Sequence, residues 1–303
     1  MKKVIILQHS GGRLADQLWR FASVYAYCLE KGFLCRNYSF SDYGYYFNFP
    51  VGNFFVDLIF FKILFFLHKF ISKFSNRNIQ RKLYSIYVKY KLDRIKKWLI
   101  NSQNNPYFLA PSSESAGLLL EFEKSDQKEI IFIGNSFFSP VGLEKYHQQI
   151  VSYFSPKKKY LVRAKKHISS LRGKFDYIVG VHIRHGDFKT WQDGKYYFSF
   201  QDVRKILDSF LEYYGQTGGV VSMVAFYICS DEKVDESFVG LNYQVGEGGM
   251  IDNLCSLSLT DRIIGSTASG FGIWASYYGD IPFVSFSREL KYKNSEAQIH
   301  FCP

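Results

Sequence analysis

The chain is poor in the residues that segment or staple a protein. It holds seven prolines in 303 residues, and 47% of its residues are hydrophobic and 19% aromatic. That balance secures a packed core and excludes long disordered tracts. Five cysteines (Cys28, Cys35, Cys229, Cys255 and Cys302) are odd in number and show no Cys-x-x-Cys spacing. A disulfide framework and a zinc site are therefore disfavoured, and a reducing, cytoplasmic setting is expected. No secretory signal is read at the start, because Met1-Lys2-Lys3 leads only into the short run Val4-Ile5-Ile6-Leu7 before His9-Ser10-Gly11-Gly12. This pattern reads as a first strand and turn. Internal repeats and low-complexity tracts are missing as well.

Acidic residues nearly vanish from one stretch. Between Lys62 and Lys97 there are eleven Lys and Arg against a single acid, Asp93, which accounts for almost all of the net charge of +11. An apolar run, Phe54–Ile71, precedes and overlaps this stretch, interrupted by Asp57, Lys62 and Lys69. Those charges make it a poor spanning helix. Apolar followed by basic suits a surface lying on anionic lipid, on the inner face of the membrane. A buried helix followed by a solvated basic helix fits the same pattern. Nucleic acid is not expected, since no recognisable binding module accompanies the basic run.

At this length the chain makes one large domain or two of ordinary size. The start predicts strand, glycine turn and helix, with Leu14, Leu18, Phe21, Ala22, Tyr25 and Leu29 on one face and Gly32 as the stop. Residues 54–99 are predicted helical, and 101–115, with Pro106 and Pro111, as loop. A strand is expected at Ile130–Ile133, ending at Gly134-Asn135. Pro156-Lys157-Lys158-Lys159 marks a junction, giving domains at 1–156, with a helical, basic insertion at about 54–100, and at 157–303. The second half alternates: strand Tyr177–Ile183, a helix from Ser199 with Asp202 completing a capping box, strand Val224–Cys229, a helix near Asp252–Leu259, strand Arg262–Gly265, a helix from about Ser269 to Tyr278, and strand Ile281–Phe286. Strands separated by helices imply a parallel sheet with right-handed crossovers. The expected class is α/β, with two Rossmann-like domains facing a central cleft.

Chemistry-bearing residues cluster where strands end in that second half. These clusters are His182-Ile183-Arg184-His185-Gly186-Asp187, then Cys229-Ser230-Asp231-Glu232, then Gly265-Ser266-Thr267-Ala268-Ser269-Gly270. In a parallel sheet the carboxyl ends share one edge, so the three clusters line one crevice. Arg184 offers a planar fork for phosphate oxygens. Ser266, Thr267 and Ser269 stand before a helix whose first N–H groups lack intrahelical partners. Each feature alone has a bland reading, a surface Arg–Asp pair or an ordinary N-cap; together they point to a nucleotide diphosphate. Asp-x-Asp, the usual carboxylate pair that holds a metal beside a nucleotide sugar, occurs nowhere. A leaving diphosphate is then stabilised by Arg184, by His182 or His185, and by helix N–H groups.

Several segments resemble one family. His182-Ile183-Arg184-His185-Gly186-Asp187-Phe188 is similar to the His-x-Arg-Arg-Gly-Asp-Tyr motif of inverting fucosyltransferases, closest to the bacterial alpha-1,2 type. Ser266-Thr267-Ala268-Ser269-Gly270-Phe271-Gly272-Ile273-Trp274 resembles that family's Ser-Ser-Phe-Ser-Trp-Trp-Gly-Ala-Trp segment, and Phe226–Asp231 its strand ending in Ser-Asp. Gly11-Gly12-Arg13-Leu14-Ala15-Asp16-Gln17 is similar to its Gly-Gly-Leu-Gly-Asn-Gln turn, and Gly134-Asn135-Ser136-Phe137-Phe138 to its Gly-Tyr-Trp-Gln-Ser block. His185 stands where a second arginine is usual, Asp16 where asparagine is usual, and Gly270 where tryptophan is usual.

The resemblance implies a GT-B fold with an acceptor-side N-terminal domain and a donor-binding C-terminal one. It also implies GDP-fucose as co-substrate, no metal cofactor, and inversion on transfer to a hydroxyl of a glycan or lipid-linked saccharide. The implied catalytic set is Arg184, Asp16 and His182. The implied donor-binding set is Gly12, Arg184, His185, Asp187, Ser230, Asp231, Asp252, Ser266, Thr267 and Ser269. Asp16 has two readings, a general base facing the acceptor and, preferred, a cap on the helix that begins there.

Other readings compete. One is a transferase of the same fold with another nucleotide-sugar donor. Arg184-His185-Gly186 also spells the core of histidine phosphatases, in which the histidine is phosphorylated. A third is a non-catalytic membrane-surface or sugar-binding protein.

Overall fold

The computed structural model describes residues 1–9, 12–37, 40–48, 107–109, 115–135 and 140–294, with parts of 63–90. The helical expectation over 54–62 and 91–99, the turn residue Gly11, the block Ser136–Phe138 and Cys302 lie outside these residues. The chain divides into two compact units, Met1–Ser155 and Pro156–Pro303.

The first unit is built on a parallel sheet of order β2-β1-β4-β3. Its elements are β1 (Lys3–His9), α1 (Leu14–Lys31), β2 (Leu34–Asn37), the single turn α2 (Ser41–Gly44), β3 (Tyr107–Leu109), α3 (Ser115–Lys124), β4 (Glu129–Asn135), α4 (Pro140–Lys145) and α5 (His147–Tyr153). Leu14, Leu18, Phe21 and Ala22 of α1 are buried, as their helical spacing predicts. Gly32 closes the helix in the left-handed conformation, φ 65°. An aromatic cluster anchors α1: Phe21 meets Phe154 edge-on at 4.9 Å, and Tyr25 stacks on Tyr153 at 4.1 Å. The expected loop over 101–115 contains a strand instead, since Tyr107–Leu109 pairs in parallel with Ile130–Phe132. Three residues between prolines are too few to show a period, and the pairing partner supplies what the local sequence lacks.

The second unit follows the expected alternation. Its elements are α6 (Lys158–Arg172), β5 (Tyr177–Ile183), α7 (Phe200–Gln216), β6 (Val224–Ser230), β7 (Tyr243–Val245), α8 (Met250–Leu257), β8 (Arg262–Gly265), α9 (Gly270–Gly279) and β9 (Phe283–Ser285). The strands are all parallel in the order β7-β6-β5-β8-β9. Ile178, Val179, Val181 and Ile183 of β5 are fully buried, as suits a central strand covered on both faces. Within this unit the strand order reads third, second, first, fourth, fifth, the doubly wound arrangement. The direction of winding therefore reverses between β5 and β8, which is where such sheets bind ligands. The fold is α/β, with two parallel Rossmann-like sheets.

Candidate active site

The carboxyl ends of β5, β6 and β8 are latched together by their own backbone. His182 pairs with Gly265 on one side and Cys229 on the other. Past the strands, Ser266 N donates to His182 O at 2.9 Å, and Arg184 N donates to Ser266 Oγ at 2.8 Å. From β6, Asp231 Oδ1 accepts the His185 N–H at 2.7 Å. A Cβ on Gly186 would meet Asp231 Oδ2 at 2.7 Å, so the close approach of this carboxylate requires glycine there. The three clusters thus converge on the reversal point of the sheet.

Arg184 sits at that point, held but not saturated. Its Nε and Nη2 donate to Asp187 Oδ1 at 2.9 and 2.6 Å, and Nε lies 3.4 Å from Asp231 Oδ2. Among the described residues no partner reaches Nη1. Asp187 is more than half exposed, whereas Arg184 is largely covered. This is a guanidinium whose orientation is fixed by carboxylates and whose outer edge is available to an anion. Asp187 and Asp231 position the arginine, and as carboxylates they are unsuited to touching phosphate themselves.

The two histidines differ in what surrounds them. His182 is buried, stacked on Phe271 at 5.1 Å, and among the described residues its Nδ1 has no hydrogen-bond partner. Burial, helped by the charge of Arg184, pushes its pKa down to about 3, so the ring is neutral at physiological pH. His185 is 2% exposed and lies between Tyr197 and Phe200. Its Nε2 bonds Phe198 O at 2.7 Å and its Nδ1 lies 3.3 Å from Glu232 Oε2. Lys189, and to a lesser degree His185, hold the Glu232 carboxyl below its usual range. A phosphatase needs an open imidazole nitrogen for in-line attack, and His185 has none, so that reading does not fit the geometry. His185 ties down the loop after β5.

The hydroxyl cluster divides the same way. Ser266 is buried and its Oγ serves Arg184 N; Thr267 Oγ1 donates to Phe286 O at 3.0 Å; Ser230 Oγ accepts from Glu232 N at 3.1 Å. All three hold loops in place. Ser269 is the N-cap of α9 and makes no side-chain cap bond. Ala268 before it has φ +61°, a left-handed conformation that costs energy outside glycine and gathers at ligand-binding turns. A helix N-terminus without a side-chain cap, in the loop whose Ser266 bonds Arg184 N, is suited to negative charge. Asp252 is committed elsewhere. It is buried, accepts from Arg163 Nε at 2.6 Å and Nη2 at 3.0 Å, and receives Gly249 N at 3.2 Å, so it caps α8 and fastens it to α6.

In the first unit, Asp16 Oδ2 accepts from Arg13 N at 2.9 Å, the capping role preferred on sequence grounds. Gly12 has φ +92°, and a Cβ there would lie 2.5 Å from Asp16 Oδ2. The turn therefore tolerates glycine alone. Among the described residues no group of His, Cys, Asp or Glu converges to hold a metal ion.

Sequence reasoning missed Arg163, Phe271 as the ring against His182, and the Phe198 carbonyl. Arg163 stands among Lys157, Lys158, Lys159, Lys165 and Lys166, where nothing separates one paired cation from solvated ones. The role of Phe198 is carried by its backbone and leaves no trace in the sequence.

No family model matches the chain, and no curated protein matches it. Solved structures do. A point mutant of Arabidopsis thaliana FUT1 in complex with GDP is similar over 98% of this chain and 72% of that one, with 12% identity and a TM-score of 0.57. NodZ alpha-1,6-fucosyltransferase soaked with GDP-fucose is similar over 96% and 97% of the two chains, with 13% identity and a TM-score of 0.50. The same enzyme co-crystallised with GDP aligns over 95% and 96%, at 14% identity and a TM-score of 0.50. At these identities the likeness is one of fold, and the fold of this chain is that of the GT-B fucosyltransferases.

Proposed function

We propose that the protein is a glycosyltransferase of the fucosyltransferase superfamily, of the bacterial alpha-1,2 type. In this reading it transfers L-fucose from GDP-fucose, with inversion, to a hydroxyl of a glycan or lipid-linked saccharide. The observation that carries the reading is Arg184, fixed by Asp187 and Asp231 at the reversal point of a doubly wound sheet, with Nη1 unengaged among the described residues and its backbone N–H bonded to Ser266 in the loop that leads into α9. The fold shared with GDP and GDP-fucose complexes supports it, and so does the order of the matching motifs.

The chemistry follows from charge. An acceptor hydroxyl oxygen attacks the anomeric carbon as the bond from that carbon to the diphosphate oxygen breaks; the hydroxyl proton passes to solvent, and negative charge grows on the leaving GDP. Arg184 and the first N–H groups of α9 meet that charge from fixed positions, which is where preorganised donors lower a barrier most. His182, held neutral, packs Phe271 against the base of the site and carries no proton to the leaving group. Asp16 shapes the Gly12 turn, so Asp16→Asn retains turnover.

Thermal-shift and calorimetric titration against GDP, UDP, dTDP and CMP tests the donor, followed by transfer assays with GDP-fucose over a glycan panel and NMR of the new anomeric centre. Stabilisation specific to GDP and lost in Arg184→Ala is the expected result. A preference for UDP or CMP overturns the fucose assignment, and a retained anomeric configuration overturns the inverting one.

A further inference from the structure

The first unit turns an apolar helical face outward. Residues 66–71 are helical, as is Ile63, and Ile63, Phe66, Leu67 and Phe70 fall at the spacing i, i+3, i+4, i+7 of a single helix face. In a core helix such a stripe is buried. Here the four are 49%, 60%, 38% and 60% exposed. The adjoining face is the one that packs: Ile71 is buried, and His68 lies 3.8 Å from Asp42 Oδ2 and edge-on to Tyr43 at 5.5 Å. Tyr87, also buried, donates to Asp42 Oδ1. Further along, Ile79, Ile86 and Tyr90 are exposed as well, while Tyr87 is buried. Lys73, Lys82 and Lys89 are exposed among these apolar residues.

We propose that this face docks the protein on the surface of an anionic lipid bilayer. Charge decides the occupant. The segment 62–97 carries eleven Lys and Arg against one acid, so a second copy would bring like charge onto like charge, whereas an anionic surface is complementary. The chemistry of the stripe points the same way. Phe, Ile, Leu and Tyr with interspersed lysines offer little directional hydrogen bonding to specify a protein partner. They suit an interface that takes apolar side chains below the headgroups and leaves ammonium groups at headgroup level. Among the described residues no helix is long and apolar enough to cross a membrane. The inference goes beyond the proposed transfer reaction and does not depend on the identity of the donor.

Co-sedimentation of the full chain with vesicles tests it. The chain partitions onto phosphatidylcholine–phosphatidylglycerol vesicles, weakly onto phosphatidylcholine alone, and less as salt is raised. The pair Lys73→Glu, Lys82→Glu lowers partitioning at least ~25-fold, taking ~5-fold per lysine. The pair Phe66→Ser, Phe70→Ser lowers it by more than about tenfold. Circular dichroism melts confirm that each variant is folded. Hydrogen exchange on the unsubstituted chain needs no variant, and the amides of 66–70 gain protection on mixed vesicles. Failure of the unsubstituted chain to bind mixed vesicles overturns the proposal, as does unchanged partitioning of the folded Phe variant. A dimer in light scattering that this variant dissolves, without vesicle binding, assigns the face to a second copy instead. Loss of GDP binding with vesicle binding intact strikes only the transferase reading.

Discussion

Both units bury phenylalanines in a core, and the first also leaves two of them outside. In the second, Phe210, Phe226 and Phe238 are buried to 1% exposure or less in one core around β5 and β6. In the first, Phe66 and Phe70 stand 60% exposed beside lysines. Burying a large apolar side chain is worth about 1.5–3 kcal/mol, so a helix that leaves two phenylalanines outside forgoes a gain a core would take. Apolar content therefore identifies a core only together with burial. In this chain the second unit uses it to hold strand ends in register for chemistry, and the first, beside a core of its own around Phe21, Phe122 and Phe154, also presents it at a surface.

The largest test of that division is Arg184→Ala. Removing the Arg184 guanidinium at the sheet reversal lowers nucleotide-diphosphate affinity and turnover ~10²–10³-fold, the scale of losing a preorganised charge donor. Vesicle partitioning is expected to stay unchanged, because Arg184 belongs to the second unit. Titration calorimetry and co-sedimentation on the same preparation check both halves. A variant that lost both properties would break the separation of roles between the units.

Ion pairs sharpen the comparison at smaller scale. Asp252 is buried and takes two bonds from Arg163, while Lys145–Glu30 in the first unit is about half exposed at both ends. Arg163→Ala leaves a buried carboxylate with Gly249 N–H as its remaining protein partner, and about 1–3 kcal/mol of stability is lost. Water reaches the arginine side, which keeps the cost below that of a fully buried pair. Lys145→Ala leaves the melting temperature where it is. Denaturant melts of the two variants side by side test the contrast.

Acid sensitivity comes next. His182 has a folded pKa of about 3 against 6.5 for a free imidazole. Below pH 6.5 the unfolded chain takes up a proton that the folded chain refuses, so stability falls as pH drops from 6.5 toward 3 and is unaffected above that window. The slope contributed is at most ~1.4 kcal/mol per pH unit. Between pH 6.5 and 5 the carboxylates held low, such as Glu232, stay ionised and leave the histidine visible. His182→Asn flattens urea-derived stability against pH over that interval, and an unchanged slope refutes the assignment.

Much of this was legible beforehand, unevenly and for physical reasons. The strand Tyr177–Ile183 is read to the residue because a central parallel strand must be apolar on both faces. The Ser199–Asp202 box is local chemistry and equally readable. The convergence of His182–Asp187, Ser230-Asp231 and Ser266–Ser269 follows from parallel topology alone. What each side chain does there does not follow. His185 looks reactive in one dimension and is enclosed by Tyr197, Phe198 and Phe200 in three. Asp252 looks like a pocket carboxylate and is spoken for by an arginine 89 residues away. β3 escapes because three residues carry no period. For 66–71 a lipid-facing surface and a buried helix are equally legible, because periodicity gives the width of an apolar stripe, never the side it faces.

The smallest expected effect separates two helix starts within the second unit. At α7, Ser199 Oγ accepts from Asp202 N at 3.1 Å and Asp202 Oδ2 accepts from Ser199 N at 3.0 Å. This reciprocal cap aligns a helix whose Val203, Ile206, Leu207 and Phe210 are buried. Ser199→Ala costs about 1 kcal/mol, with no change in nucleotide affinity. At α9, Ser269 makes no cap bond with its side chain, so Ser269→Ala costs less stability than Ser199→Ala and weakens GDP binding instead. The reason is shared: a helix start closed by its own side chain has no need of an anion, and one left open at a sheet reversal is completed by the ligand. Equal stability losses in the two variants, with GDP affinity untouched in both, would make α9 an ordinary helix and leave Arg184 to hold the diphosphate alone.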